Sequence, residues 1–274
     1  MNMIEVQNLS VILKHKKQAR CLVDHVNFSV QKGECLGILG ESGSGKSMTV
    51  KAFTGLLDNN FDVTGEVIFD GIHLLKESKE NLRRIRGKKI AMVLQNPMTC
   101  FDPLYRIGNQ LEETFATHTD WSKKEIYQQS KALLEKMQIR DPEEVLEKYP
   151  HQLSGGMLQR VMIGVAIVLE PDLLIADEPT TAIDAITQFE ILQEFIKIKE
   201  SRKTAMLFIS HDLGAISQVA DHILVMNQGK VVDEGDFSHI LHNAADPYTK
   251  LLVEKRQAVM KQYRAMLRQE VTYD

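Results

Sequence analysis

The chain has 274 residues, 43% apolar and 26% charged, enough to bury the core of one large domain or of a domain with a subdomain, which excludes a disordered protein. Its net charge of −4 leaves no general basic surface for sequence-indifferent nucleic-acid binding. The three cysteines, Cys21, Cys35 and Cys100, are widely spaced and lack C-x-x-C or Cys/His pairing, which argues against a disulfide framework or a zinc site.

The N-terminal MNMIEVQNLS has neither a basic leader nor an apolar signal segment, and the longest apolar runs, such as Val161 to Leu169, are about half the length that spans a bilayer. A cytoplasmic chain without a membrane span is expected. ECLGILG (34–40) reads as a buried strand followed by a glycine turn, and KSMTVKAFTGLL (46–57) as the helix after it. EVIFD (66–70) and KIAMVLQ (89–95) read as further strands, with an exposed, mixed-charge stretch at 72–88 between them. From about 100 to 170 strands give way to helices: Ser122 and Glu125 form a capping box, and Pro142 starts a short helix. LLIADE (173–178) and AMLFIS (205–210) resume the strands, HILVMNQGKVVDEG (222–235) has a hairpin signal at Asn227-Gln228-Gly229, and Asp246-Pro247 opens a last helix to about Arg268. Strands alternating with helices point to an α/β fold with parallel strands.

Four stretches carry chemistry. Gly40-Glu41-Ser42-Gly43-Ser44-Gly45-Lys46-Ser47 fits G-x-x-x-x-G-K-[ST], and it stands between a strand and a helix that begins Lys46-Ser47-Met48. Its backbone N–H groups can curl around a triphosphate, with Lys46 as a point charge on the outer phosphates and the Ser47 hydroxyl toward Mg²⁺. LLIADEP (173–179) ends an apolar strand on two carboxylates. Asp177 is suited to hold Mg²⁺ through water, and Glu178, expected on the opposite side of the strand end, to orient and deprotonate an attacking water. LSGGMLQR (153–160) opens a helix whose first turn is bare of bulky side chains, which suits it to hold an anion. Gln95 and His211, each at a strand end, gain meaning only beside these motifs.

GESGSGKS, Gln95, LSGGMLQR, LLIADEP, Ala182-Ile183-Asp184 and His211, in this order, resemble the nucleotide-binding subunit of an ATP-binding-cassette transporter over nearly the whole chain. The resemblance implies an α/β P-loop NTPase core with an inserted all-helical subdomain at about 96–170 and an N-terminal antiparallel β subdomain. Together these make an ATPase domain over 1–252, followed by a helical tail, 253–274. It further implies two cassettes packed head to tail, with Ser154, Gly155, Gly156 and Gln159 of one facing the γ-phosphate held by the other. Asp184 is then a cross-dimer contact, Gln95 an Mg²⁺-linked sensor, and His211 a γ-phosphate contact that helps orient Glu178.

QNPMTCFDPLYRIGNQLEE (95–113), DEPTTAID (177–184) and DPYTKLL (246–252) resemble the peptide and nickel importer branch, and Leu158 leans toward members serving nickel or metal–metallophore uptake. The branch implies a peripheral subunit at the cytoplasmic face of the membrane. Its partners are two permease subunits, a second cassette, either a paralogue or a second copy, and indirectly an extracytoplasmic solute-binding protein. An exporter ATPase or a soluble cassette acting on DNA or ribosomes is the alternative, although the chain has no heptad array and no room for a second cassette. Two features depart from the family. Between Val11 and Cys21 there is no aromatic residue to stack on adenine, leaving His15 or the stem of Arg20, and there is no C-terminal cysteine cluster for an iron–sulfur centre.

Overall fold

The computed structural model describes residues 2–14, 19–181 and 183–270; His15 and Ala182 lie outside the described residues. Two 12-residue strands, β1 (Asn2–Leu13) and β2 (Arg20–Gln31), form an antiparallel ribbon ahead of β3 (Cys35–Leu39) and α1 (Lys46–Phe53). β4 (Phe61–Phe69) and β5 (Ile72–His73) return to the ribbon, giving an antiparallel sheet ordered β2-β1-β4-β5. The EVIFD run is therefore the end of a longer strand in this sheet. α1 stops at Phe53, short of the expected Leu57, because Gly55 takes φ +66° just beyond it.

α2 (Lys79–Ile85) leads to β6 (Ile90–Val93). The chain then passes through α3 (Ile107–His118), α4 (Lys123–Lys136), α5 (Pro142–Glu147) and α6 (Gly155–Val168) before β7 (Leu173–Asp177). The capping box at the start of α4 is formed in both directions, Ser122 and Glu125 each satisfying the other's backbone N–H. α7 (Ala185–Ser201), β8 (Ala205–Ser210), α8 (Leu213–Val219), β9 (His222–Asn227) and β10 (Lys230–Gly235) follow, then α9 (Phe237–His242) and α10 (Pro247–Glu270). The β9–β10 hairpin turns on Gln228 and Gly229, both at positive φ (49° and 83°), as a two-residue type I′ turn requires. α10 is continuous across the boundary expected at 252–253, and Asp246 caps it by accepting the Tyr248 N–H at 2.8 Å. Among the described residues no helix is long and apolar enough to cross a membrane.

The second sheet is ordered β10-β9-β3-β8-β7-β6 and is parallel except for the hairpin. Strand alternation divides its side chains between two cores. Leu36, Ile38, Leu173, Ile175, Leu207 and Ile209 meet α1 and the inner face of the antiparallel sheet. Leu39, Leu174, Ala176, Met206 and Phe208 meet helices α6, α7 and α8 on the other side. Both faces are covered, so the polar groups that must reach ligand collect at one end, where β3, β6, β7 and β8 terminate side by side.

Candidate active site at the strand ends

The P-loop continues directly from β3. A side chain at Gly40 would stand 2.4 Å from the Met226 carbonyl oxygen and 2.6 Å from Ser44 Oγ, so only glycine lets the loop turn there. Gly45, at φ +106°, caps α1 without a side chain of its own and leaves the N–H groups of the helix start bare toward the loop. Glu41, Ser42 and Gly43 are exposed, and the half-buried Met48 side chain packs against the core between the sheets, so only its backbone faces the loop.

Lys46 is buried and its ammonium donates to the Gly40 carbonyl at 2.7 Å and to the Glu41 carbonyl at 2.8 Å, with Ser44 Oγ at 3.4 Å. Burial holds its pKa below the ordinary lysine value, against the opposing pull of Glu178, Asp177 and Glu41. Ser47 Oγ donates to Asp177 Oδ1 at 2.8 Å. Burial pushes the Asp177 carboxyl above its usual range; the Ser47 hydrogen bond works the other way.

Glu178 is where the groups converge. The strand ends at Asp177, and Glu178 takes φ +49°, a left-handed conformation that costs a non-glycine residue roughly 1–2 kcal/mol. Strand alternation, the basis for expecting it opposite Asp177, therefore does not set its direction; the turn does. Its N–H donates to the Ile209 carbonyl at 2.9 Å. Its Oε2 accepts from Gln95 Nε2 and Thr181 Oγ1, both at 3.0 Å, and lies 3.4 Å from His211 Nδ1. Its Oε1 is 3.9 Å from the Lys46 ammonium. One oxygen is tied down and the other faces the lysine, the kind of strained, over-determined placement found at functional sites. Gln95 lies two residues beyond β6, and His211 follows β8 directly.

A second group stands apart from this one. Ser154 caps α6, its Oγ accepting the Met157 N–H at 3.2 Å, and Gly155 has open space where a Cβ would point. Gly156 sits against Thr187, at the start of α7, where Asp184 caps the helix by accepting the Ile186 and Thr187 N–H groups. Those hydrogen bonds hold the Asp184 carboxyl below its usual range. Among the described residues no hydrogen bond or ion pair joins Ser154, Gly155 or Gly156 to the P-loop.

One expectation from the LSGGMLQR stretch needs correction. Gln159 is 2% exposed and donates to the Pro179 carbonyl at 2.9 Å, so it braces α6 against the turn after Glu178 and is not a nucleotide contact. Leu158 is fully buried among core residues and anchors the helix by packing. Thr181 and Tyr248 join the site without having been singled out. Thr181 was within reach, three residues from Glu178; Tyr248, whose hydroxyl accepts the Glu41 N–H at 2.8 Å, lies in the DPYTKLL stretch that marks the branch, but its partner is 207 positions away and nothing local pointed to that contact.

Known proteins align with this arrangement. The family model described as ABC transporter matches residues 23–181. The metal-staphylopine import system ATP-binding protein CntD of Staphylococcus aureus (strain NCTC 8325 / PS 47) is 43% identical over 271 residues, 99% of each chain. The oligopeptide transport ATP-binding protein OppD of Lactococcus lactis subsp. cremoris (strain SK11) is 38% identical over 92% of this chain and 75% of its own. Among solved structures, an ATP-binding cassette captured as a dimer in a post-hydrolysis state with ADP and Pi superposes with a TM-score of 0.77 at 27% identity, covering 86% of this chain and 99% of that one. Matched by the family model over more than half its length and by a relative almost end to end, the chain belongs to the ABC transporter family, as one of its ATP-hydrolysing subunits.

Proposed function

We propose that the chain powers an importer whose cargo is a metal–chelator complex, by hydrolysing Mg²⁺-ATP at a site completed by a second cassette. The observation that carries the chemistry is the convergence on Glu178: Gln95, Thr181 and His211 fix Oε2, leaving Oε1 to take a proton from water. Lys46 and the bare amides of the P-loop neutralise the outer phosphates. The donor set also suits Mg²⁺. The Ser47 hydroxyl and the Asp177 carboxylate are hard oxygen groups in direct contact, and Mg²⁺ takes one or two such ligands and completes its shell with phosphate and water. Bound there, Mg²⁺ would supply charge neutralisation at the phosphates, held by Ser47 and Asp177, and Gln95 would be linked to the site through its hydrogen bond to Glu178.

Exposed Ser154, Gly155 and Asp184, apart from their own P-loop, support a head-to-tail sandwich in which each contributes to the partner's site. The partner is a paralogous cassette or a second copy. The permeases have a suitable seat in the apolar groove lined by Met92, Phe101, Leu111, Met162 and Ala166. It adjoins the segment after Gln95, where Leu104 is 79% exposed and Met98 and Tyr105 are exposed beside it. Movement of Gln95 with the nucleotide is thereby passed to membrane partners, with the subunit peripheral at the cytoplasmic face and the solute-binding protein acting through the permeases.

The cargo reading rests on the relative matched over 99% of both chains, which carries metal-staphylopine import in its name; oligopeptide is the alternative. Uptake of radiolabelled nickel or zinc presented with a metallophore, compared with uptake of a labelled oligopeptide, tests it in cells with and without the chain. Loss of metal uptake alone is expected; loss of peptide uptake alone overturns the cargo assignment.

A further inference from the structure

The C-terminal helix reaches back to the nucleotide site. The Glu41 N–H donates to Tyr248 Oη at 2.8 Å, and the carbonyl of the same Gly40–Glu41 peptide accepts from the Lys46 ammonium at 2.7 Å. One peptide plane is therefore held from both ends, by the phenol of α10 on one side and by the phosphate-binding lysine on the other. Two turns further along α10, Lys255 pairs with Glu41 at 3.2 Å and Arg256 pairs with Asp212, the residue after His211, at 3.3 Å. Asp212 in turn caps α8 through the Gly214 N–H at 2.8 Å. α10 thus touches both the loop that carries Lys46 and the loop that carries His211.

We infer that Tyr248 is a positioning residue of the ATP site, orienting the Gly40–Glu41 peptide on which the Lys46 ammonium is held so that the lysine meets the outer phosphates ready-placed. This rests on the reading of Gly40–Ser47 as the ATP loop. Tyr248 touches no phosphate in this scheme and acts only through the peptide. Without its acceptor the Glu41 N–H turns to solvent, the peptide swings, and Lys46 loses a fixed carbonyl partner. The helix that supplies Tyr248 also ties down the histidine loop, so its position is a means by which the C-terminal segment sets nucleotide affinity.

Tyr248→Phe keeps the ring and removes the acceptor. ATP affinity is expected to fall about fivefold, the ordinary net worth of one hydrogen bond, with kcat at saturating ATP within about twofold and an unchanged melting temperature. That split between KM and kcat is what a merely structural role would not produce. Lys46→Ala, measured alongside by the same ATP titration, keeps the two readings separable. If it leaves ATP binding intact, the P-loop reading fails. If it abolishes binding while Tyr248→Phe binds ATP as tightly as wild type, the inference about Tyr248 alone fails. A Tyr248→Phe variant that loses kcat and melting temperature together also overturns it.

Discussion

Asp177 shows how function can work against stability at a single side chain. Its carboxyl is buried at the end of an apolar strand, and burial raises its pKa above the unfolded value. A carboxyl that holds its proton more tightly folded than unfolded destabilises the fold as pH rises through the folded value, and does so fully above it. Asp177→Asn preserves an acceptor for Ser47 and removes the titrating charge. The variant is expected to gain stability over wild type in urea unfolding, by more at pH 7 than at pH 3, where the carboxyl is protonated in both states, while losing Mg²⁺-dependent turnover. An equal shift at both pH values would mean that burial of the charge is not the cause. Glu178 carries a comparable local cost in its left-handed backbone, offset by the four groups gathered around its amide and Oε2.

At the scale of elements, α6 is a helix whose N-terminus is kept clear. Ser154 supplies the cap, Gly155 and Gly156 add no side chain over the first turn, and Leu158 and Gln159 anchor the helix from below. Ser154→Asp separates these duties. Aspartate caps as well as serine, so stability should stay within about 0.5 kcal/mol, whereas its charge would face the phosphate of a neighbouring cassette. Turnover is expected to fall on the order of 10²–10³-fold with ATP binding at the chain's own P-loop retained. ATP affinity lost in the same proportion, measured by nucleotide titration, would place Ser154 in its own chain's pocket. Elements such as this were legible because their signals are local: the capping box at Ser122, the Gln228-Gly229 turn and the P-loop each fit within a few consecutive residues. Strand lengths were less legible. β1 and β2 are irregular, with register shifts along their pairing, so their alternation is broken, and the antiparallel sheet they build was expected only from the family resemblance.

Across the whole molecule, the site exists because four neighbouring parallel strands end together, bringing residues from Gly40 to His211 into one crevice. Consecutive residues disclosed the identities of Lys46, Asp177 and Glu178; their meeting with Gln95, Thr181 and His211 depends on strand order, which one sequence does not display. The same holds for Tyr248, whose partner Glu41 is brought to it only once α10 folds back on the P-loop. Ser154 and Asp184 are exposed and make no hydrogen bond to the P-loop among the described residues, which is the basis for the proposal that a second cassette completes the site. All of this turns on Glu178 as the base. The most direct measurement is ATP hydrolysis by Glu178→Gln beside wild type, with ATP binding and association state read on the same samples. Hydrolysis is predicted to fall about 10²–10⁴-fold while ATP stays bound and the closed dimer accumulates. Hydrolysis at the wild-type rate, or loss of ATP binding together with turnover, would contradict it.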